Sequence, residues 1–309
     1  SQHAAGVVIT PKPIIEMVPV RKFGESQIVT QYSMEPVEKL GLVKMDFLGL
    51  RTLSVIEGAL ENIRANGKGT IDLEDVPMDD HKTFEMLQRG DTLGVFQLES
   101  SGMTALVVRM KPDCFEDLIA LVALYRPGPL ESGMADQYVK CKHKEEPVHF
   151  LHPALAESMK ETYGVILYQE QVMQSASALA GYSLGEADLL RRAMGKKKAE
   201  VMAEQREKFI KGAVKNNVEP KKAAEIYDII EKFAGYGFNK SHSAAYALIS
   251  YRTAWLKANY GPEFLAAYLS SIVGSKMSVL GQYIRSVREA GFSVLPPDIN
   301  ESTEDFSAS

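Results

Sequence analysis

A lysine and an aspartate stand two positions apart in an apolar run, LVKMDFLGL, residues 42–50. The run is short and ends at Gly49, which predicts a largely buried strand. Side chains alternate along a strand, so Lys44 and Asp46 project from one face, about 7 Å apart. A carboxylate in this setting binds Mg²⁺, and a neighbouring lysine binds phosphate oxygens. The alternative is an ion pair at the rim of a sheet, which satisfies both charges without a ligand.

Basic residues concentrate in a second stretch, LRRAMGKKK, residues 190–198. Five positions within it are cationic and no acid stands among them: Arg191, Arg192, Lys196, Lys197 and Lys198. Cations packed this closely repel one another unless an anion lies between them, and a triphosphate or a nucleic-acid backbone supplies one. The alternative is a solvent-exposed helix end at Gly195, where cations suit the negative end of the helix dipole.

A third polar cluster, AGYGFNKSHSAAYA, spans residues 234–247. Asn239, Lys240 and His242 occur there where a helix is about to begin. The N-terminus of a helix presents free N–H groups, which favour anions and polar bases. The structural alternative is that Ser241 or Ser243 is simply the N-cap and that the lone histidine is a hydrogen-bonding partner.

The elements that must position these residues change character along the chain. Within residues 1–50 the segments AAGVVI, IVTQYS and LVKMDFL predict strands separated by turns. The next segment, RTLSVIEGALENIRANG, has apolar residues at spacings of three and four, which predict a helix that stops at Asn66-Gly67. We therefore expect a strand end, a glycine and a helix start in succession beside Asp46.

After residue 70 nearly every segment predicts a helix. FEDLIALVALY ends before a rigid turn at residues 126–129, and YQEQVMQSASALAG ends at Gly181. SLGEADLLRRAMG opens with a capping box formed by Ser183 and Glu186. Only SVLPPDIN, near the end of the sequence, is strand-like again. The predicted fold is mainly α, a large helical region attached to a small β-containing edge.

Composition narrows the class of protein. The chain has 309 residues, 45% of them hydrophobic, and a net charge of −5, which suits one large or two ordinary globular domains. This balance excludes a basic nucleic-acid coat and an acidic disordered tail. Two cysteines favour a reducing compartment, and we expect no membrane partner and no signal peptide. The abrupt ends lead us to expect an excerpt of a longer protein.

Seven strings occur in one order along essentially the whole chain: KMDFLGLRTL, VFQLES, PDCFEDLIALVALYRPGPL, YGVILYQEQVM, LRRAMGKKK, EKFAGYGFNKSHSAAYALISY and LPPDIN. Together they resemble the catalytic alpha subunits of bacterial DNA polymerase III, the C-family replicative polymerases. The resemblance implies that residues 1–51 are the C-terminal part of a palm with a nucleotidyltransferase, polymerase-beta-like fold. Residues 52–309 would be much of the fingers.

The resemblance also implies roles for individual residues. In this family the palm carries three aspartates for two Mg²⁺ ions, and Asp46 matches the third, with Lys44 reaching the incoming triphosphate. The other two belong to a D-x-D motif upstream; the acidic segment IDLEDVPMDD, residues 71–80, is expected to be a loop and does not replace it. The implied nucleotide contacts are Arg191, Arg192, Lys196, Lys197, Asn239, Lys240, His242 and Arg126, with Gln97 and Ser100 near the same cavity.

The implied function is template-directed DNA synthesis by a two-Mg²⁺ mechanism, with primer–template DNA and deoxynucleoside triphosphates as partners. This piece would supply one catalytic aspartate and the fingers, and we expect it to be inactive alone. The sliding clamp and the proofreading subunit would bind regions outside it, in the bacterial cytoplasm at the nucleoid. The alternatives are a non-catalytic helical module that binds nucleic acid through LRRAMGKKK, and a protein-interaction scaffold.

Overall fold

The structure is a computed structural model that describes residues 5–25, 27–196, 199–234, 236–274, 277–300 and 302–308. For residues 195, 196, 199, 200 and 234 it describes only the backbone. Lys197, one of the predicted phosphate contacts, lies outside the described residues. The chain divides into two compact units, one up to Ser54 and one from Val55 onwards.

The first unit is built from two antiparallel strand pairs. β1 (Gly6–Ile9) pairs with β4 (Val43–Asp46), and β2 (Val20–Phe23) pairs with β3 (Gln27–Thr30). A short 3-10 helix, Ile14–Glu16, and α1 (Met34–Lys39) lie between them in the chain. A small core formed by Val18, Val37 and Leu42 holds this unit together.

The strand that carries the lysine and the aspartate was expected to be largely buried, and that prediction is wrong. The side chains of Val43 and Met45 are 54% and 46% exposed. In the described part of the chain β4 pairs with β1, and the face carrying Val43 and Met45 is continued by Ile9 and Val7, which are directly opposite and half exposed. Because no described element of this unit packs over that face, apolar residues alone do not bury the strand.

The second unit is almost entirely helical, which confirms the predicted fold class. Two 3-10 helices, Pro153–Leu155 and Lys160–Thr162, accompany the α-helices. The α-helices, beginning with the one that crosses the boundary between the units, are α2 (Arg51–Ala65), α3 (His81–Gln88), α4 (Ser101–Met110), α5 (Phe115–Leu124), α6 (Pro127–Glu131), α7 (Met134–Lys142), α8 (Ala156–Met159), α9 (Gln169–Ala180), α10 (Leu184–Lys196), α11 (Ala199–Lys215), α12 (Pro220–Ala234), α13 (Lys240–Asn259), α14 (Gly261–Ser270) and α15 (Met277–Glu289).

Several helix boundaries lie at the capping residues that the sequence predicted. α9 ends at Gly181, which takes the left-handed conformation at φ +69°. At the start of α10 the Glu186 carboxylate accepts from the Ser183 N–H at 2.8 Å, while the Glu186 N–H donates to Ser183 Oγ at 3.3 Å. This is the predicted capping box. The acidic segment at residues 71–80 is a loop, as expected.

Four local details differ from the expectations and alternatives drawn from the sequence. The rigid turn after Arg126 is the first turn of α6, because proline is well tolerated where its missing N–H has no helical partner. α10 continues past Gly195 to Lys196. The N-cap of α13 is Asn239 rather than Ser241 or Ser243. SVLPPDIN forms no strand, since its two prolines cannot donate to a ladder.

Two large hydrophobic cores of the second unit meet at an extended segment, residues 165–167. Val165 and Leu167 pack into the core around α3, α4, α5, α7 and α13, whereas Ile166 packs into the core around α9 to α12. The alternation is that of a strand buried on both faces. α13 is the long helix of the first core, and its C-terminal part continues into a third core with α2, α14 and α15.

Within the described residues, no helix is both long enough and apolar enough to cross a membrane.

The packing of α11 on α9 depends on a glycine. A Cβ at Gly212 would lie 2.3 Å from the carbonyl oxygen of Ala180, whereas a Cβ at Gly185 in α10 would meet nothing within 4 Å. Real Cβ atoms do not approach a backbone oxygen that closely, so a side chain at Gly212 must separate the two helices.

We therefore expect Gly212→Ala to lower the free energy of unfolding by about 2 kcal/mol. Gly185→Ala, the matched control, should be neutral or raise it by up to about 1 kcal/mol, because alanine favours helix. Urea unfolding of the 309-residue chain measures both changes. Equal stability of the two variants would contradict the close contact between α9 and α11.

Candidate functional site

A short parallel pairing brings two distant parts of the second unit together. The Gln169 N–H donates to the Phe238 carbonyl at 2.9 Å, and the Phe238 N–H donates to the Leu167 carbonyl at 3.1 Å. The buried side chain of Gln171 accepts from the N–H groups of Leu167 and Tyr168, so this piece of backbone is satisfied on both edges. We call this contact between residues 167–169 and 236–239 the 168–238 bridge.

The side chain of Gln169 extends the bridge towards α10. Its Nε2 donates to the Gly237 carbonyl at 3.2 Å, and its Oε1 accepts from Arg191 Nη1 at 3.2 Å. One residue at the start of α9 therefore contacts both the GFNKSH segment and the first of the two predicted phosphate-binding arginines.

Both arginines of LRRAMGKKK share one carboxylate. Arg191 donates to Asp188 Oδ1 through Nε at 2.9 Å and Nη2 at 2.7 Å, and Arg192 Nε lies 2.8 Å from Asp188 Oδ2. The hydrogen bond from Arg191 lowers the pKa of the Asp188 carboxyl. The anion expected among these cations is thus supplied within the helix, at the i−3 and i−4 positions. Of Lys196 the structure describes only the backbone, at the end of α10.

The start of α13 holds a second carboxylate. Glu170 accepts from the Lys240 N–H at 3.1 Å and from Asn239 Nδ2 at 3.2 Å. Asn239 Oδ1 in turn accepts from the His242 N–H at 2.8 Å, which closes the N-cap. The ammonium of Lys240 donates to both carboxylate oxygens of Glu161 at 2.8 Å. The free N–H groups of this helix therefore face an anion, as expected for its positive end.

An aromatic row follows the same helix start. The His242 ring is 4.3 Å from the Tyr246 ring and 5.4 Å from the Phe238 ring, measured between centroids. Tyr246 continues the row to Phe96 at 5.4 Å. The His242 side chain, in the middle of the row, is exposed and offers a flat ring to a planar ligand such as a base.

Arg126 contacts the Phe238 end of this row. Its guanidinium lies 4.3 Å from the Phe238 centroid, and it donates to the carbonyls of Ala123 and Tyr236, each at 2.8 Å. Burial lowers the pKa of the guanidinium, which nevertheless stays far above neutrality. Arg126 thus fixes the junction of α5 and α6 to the segment that carries Asn239, Lys240 and His242.

The VFQLES segment lies beside the other end of the row. Phe96 contacts Tyr246, and the exposed Gln97 follows it in the left-handed conformation at φ +63°. Ser100 is the N-cap of α4 and lines a cavity of about 570 Å³ with residues of α15. Gln97 therefore adjoins the aromatic row, whereas Ser100 faces the cavity beside α15 and not the row.

Lys44 and Asp46 form an ion pair in the first unit. Lys44 Nζ lies 2.6 Å from Asp46 Oδ1, and the Asp46 side chain is 42% exposed. Their common face on β4 is as predicted, because they lie opposite Val8 and Gly6 of β1. The Asp46 carboxylate is therefore accessible from solvent while it is paired with Lys44.

One other group of described residues has the ligand types of a metal site, Asp113, Cys114 and Asp117. The ammonium of Lys142 already fills it, at 2.8 Å from Asp113 Oδ1 and 2.7 Å from Asp117 Oδ2. Burial opposes that charge, but the hydrogen bonds to the two carboxylates outweigh it and raise the pKa of Lys142. Burial also raises the pKa of the Cys114 thiol to about 12. The group is therefore a buried ion pair.

Two parts of the chain match models of known protein families. Residues 52–217 match the bacterial DNA polymerase III alpha subunit finger domain, and residues 1–49 match the bacterial DNA polymerase III alpha NTPase domain. The chain belongs to the bacterial DNA polymerase III alpha subunit family. The resemblance drawn from the seven strings is thereby confirmed.

Individual alpha subunits are similar over nearly the whole chain. The DNA polymerase III subunit alpha of Escherichia coli K12 is 52% identical over 315 residues, which cover 99% of this chain and 27% of that protein. The alpha subunit of Aquifex aeolicus is 50% identical over 307 residues and that of Thermus aquaticus 51% over 311, covering 26% and 25% of their lengths. The chain thus spans about a quarter of the alpha subunits that it matches.

Three residues that shape the site were missed by the interpretation of the sequence. Asp188 was not assigned to the arginines, although a spacing of three and four in a helix predicts the contact. Gln169 and Phe238 carry no local signal, because their pairing joins segments 69 residues apart.

The ion pairs of Lys142 with Asp113 and Asp117 predict a structural role for this lysine. Lys142→Met should lower the free energy of unfolding by about 3 kcal/mol, because it leaves the buried Asp117 carboxylate without its cation. The matched control is Lys140→Met in the same helix, which removes an exposed pair with Glu146 and should cost below about 1 kcal/mol. Urea unfolding measures both, and similar small losses would show that Lys142 does not neutralise a buried charge.

Proposed function

We propose that this chain is the part of a template-directed DNA polymerase that carries one metal-binding carboxylate and the nucleotide-binding fingers. The observation that carries the proposal is the 168–238 bridge, which gathers Arg191, Arg126 and the segment from Asn239 to His242 around one surface. Relatives that bear the name DNA polymerase III subunit alpha match nearly the whole chain. Residues 1–51 would be the end of the palm and residues 52–309 the fingers.

The Asp46 carboxylate has the chemistry required of a Mg²⁺ ligand. It is a hard oxygen donor on an exposed strand face, beside a lysine that suits a phosphate. A single carboxylate fits as one member of a set, whose other aspartates would lie in the rest of the polymerase. Bound Mg²⁺ supplies activation of the primer hydroxyl and stabilisation of the leaving pyrophosphate. Lys44 would leave Asp46 and donate to the triphosphate, offsetting charge that develops there.

The arginine pair would bind the triphosphate by exchange of anions. In the structure Asp188 occupies the donors of Arg191 and Arg192, and both carboxylate oxygens are used. A triphosphate carries more charge than one carboxylate and accepts from several N–H groups at once, so it competes for the same donors. Lys196 and Lys197 would add to this binding from the end of LRRAMGKKK.

The segment from Asn239 to His242 would contact the base of the incoming nucleotide or the primer–template. The exposed His242 ring offers a flat surface against which a base can stack, and the aromatic row fixes its orientation. The partners of this chain would be primer–template DNA and deoxynucleoside triphosphates. Contacts with the sliding clamp and the proofreading subunit would lie in other parts of a bacterial, cytoplasmic polymerase.

The metal-ligand role of Asp46 predicts loss of synthesis. In the full-length polymerase, Asp46→Ala should lower the rate of primer extension by about 10³-fold or more, because a carboxylate at the reacting centre is removed. The matched control is Asp79→Ala, an exposed carboxylate of the 71–80 loop, which should extend at the normal rate. The 309-residue chain alone should be silent. Normal extension by the Asp46→Ala enzyme would exclude the assignment.

The phosphate role of the arginines predicts a change in nucleotide affinity. Arg191→Ala should raise the KM for the complementary nucleotide about 10- to 100-fold, the loss expected for hydrogen bonds to a charged group. Arg206→Ala removes an exposed arginine that pairs with Asp228 on α12 and serves as the control. A weaker affinity for DNA with an unchanged nucleotide KM would favour the non-catalytic DNA-binding module instead.

A further inference from the structure

The two arginines of α10 are held differently, although they are adjacent. Arg191 has one guanidinium edge on Asp188 and its Nη1 on Gln169, and its side chain is 28% exposed. Arg192 contacts Asp188 through Nε and is 64% exposed. The first arginine is therefore fixed from two directions, whereas the second is held on one side.

We propose that Gln169 is a positioning residue that sets Arg191 for the triphosphate and links it to the segment that contacts the base. The proposal rests on the function proposed above for Arg191. It assigns Gln169 no contact with substrate: the residue acts through the arginine and through the backbone of residues 237 and 238.

The geometry requires an amide at this position. Gln169 Oε1 accepts from Arg191 Nη1, while Gln169 Nε2 donates to the Gly237 carbonyl, each at 3.2 Å. A side chain here must accept at one atom and donate at the other. Ionised glutamate has no donor for Gly237, lysine has no acceptor for Arg191, and methionine has neither in useful strength.

The backbone of Gln169 makes its side chain a rigid link. Its N–H donates to the Phe238 carbonyl at 2.9 Å, so the main chain and the side chain bind successive carbonyls of the same segment. Gly237 and Phe238 are directly followed by the N-cap of α13, Asn239. A displacement of that segment by the base of a nucleotide therefore reaches Arg191 through a single residue.

Two substitutions separate positioning from general packing. Gln169→Met keeps the length of the side chain and loses both of its hydrogen bonds. The Arg191 side chain is then less preorganised, and part of the binding free energy of a triphosphate is spent on ordering it. Gln169→Glu keeps the shape but places a carboxylate on Arg191, which then competes with the triphosphate for the same donors. The second variant retains a strong partner for Arg191, so it remains informative if the methionine variant folds poorly.

The experiment is steady-state primer extension by the full-length polymerase with a single complementary nucleotide. We expect Gln169→Met to raise the nucleotide KM about fivefold with kcat nearly unchanged, and Gln169→Glu to raise it further. In an Arg191→Ala background, Gln169→Met should add nothing to the KM, because the residue it positions is absent. The matched control is Gln174→Met, an exposed glutamine of the same helix, which should leave both constants unchanged.

The outcomes separate this inference from the proposed function. If Arg191→Ala raises the KM but both Gln169 variants behave like wild type, Gln169 does not position the arginine and the function stands. The inference also fails if the Gln169→Met effect is fully retained in the Arg191→Ala background, since that marks a general structural role. If Arg191→Ala leaves the nucleotide KM unchanged, the proposed function of the arginine fails, and the inference about Gln169 fails with it.

Discussion

The candidate site depends on a few backbone hydrogen bonds between residues 167–169 and 236–239. These segments are distant in the sequence, and each ends where a helix begins, α9 on one side and α13 on the other. Pairing them places two helix starts side by side, with Glu170 facing the N–H groups of α13. The bridge is itself fixed because residues 165–167 alternate between two hydrophobic cores and Tyr168 packs into the first of them, so it cannot shift without exposing apolar side chains. Rigid packing thereby supports the polar surface that we propose binds the nucleotide.

Charge imposes the second constraint. In the second unit Asp188 pairs with the arginine pair and Glu161 with Lys240, and in the first unit Asp46 pairs with Lys44. These pairs are partly exposed, and we propose that a ligand with more charge exchanges for the carboxylates. Without these carboxylates the adjacent cations Arg191 and Arg192 would repel each other. Pairing thus holds the cationic side chains in defined positions.

Local patterns predicted much of the helical architecture and some of the site. The common face of Lys44 and Asp46 follows from the period of a strand, and the Ser183–Glu186 capping box follows from a spacing of three.

The exposure of β4 could not be inferred, because apolar composition does not say whether a second layer covers a strand. The role of Gln169 could not be inferred either: its partners at positions 191, 237 and 238 are set by tertiary pairing, and no local period encodes that. The N-cap role of Asn239 could have been predicted from the sequence, since asparagine is among the preferred residues at that position.

The central claim is that the 168–238 bridge joins the arginines and the GFNKSH segment into one nucleotide-binding surface. Hydrogen–deuterium exchange of the full-length polymerase on primer–template, with and without the complementary nucleotide, tests it most directly. The account predicts that backbone amides at 167–169, 188–192 and 236–242 slow together when the nucleotide binds, while those at 222–230 in α12 do not change. Protection at 188–192 with unchanged exchange at 236–242, or no protection in either, would contradict a single surface.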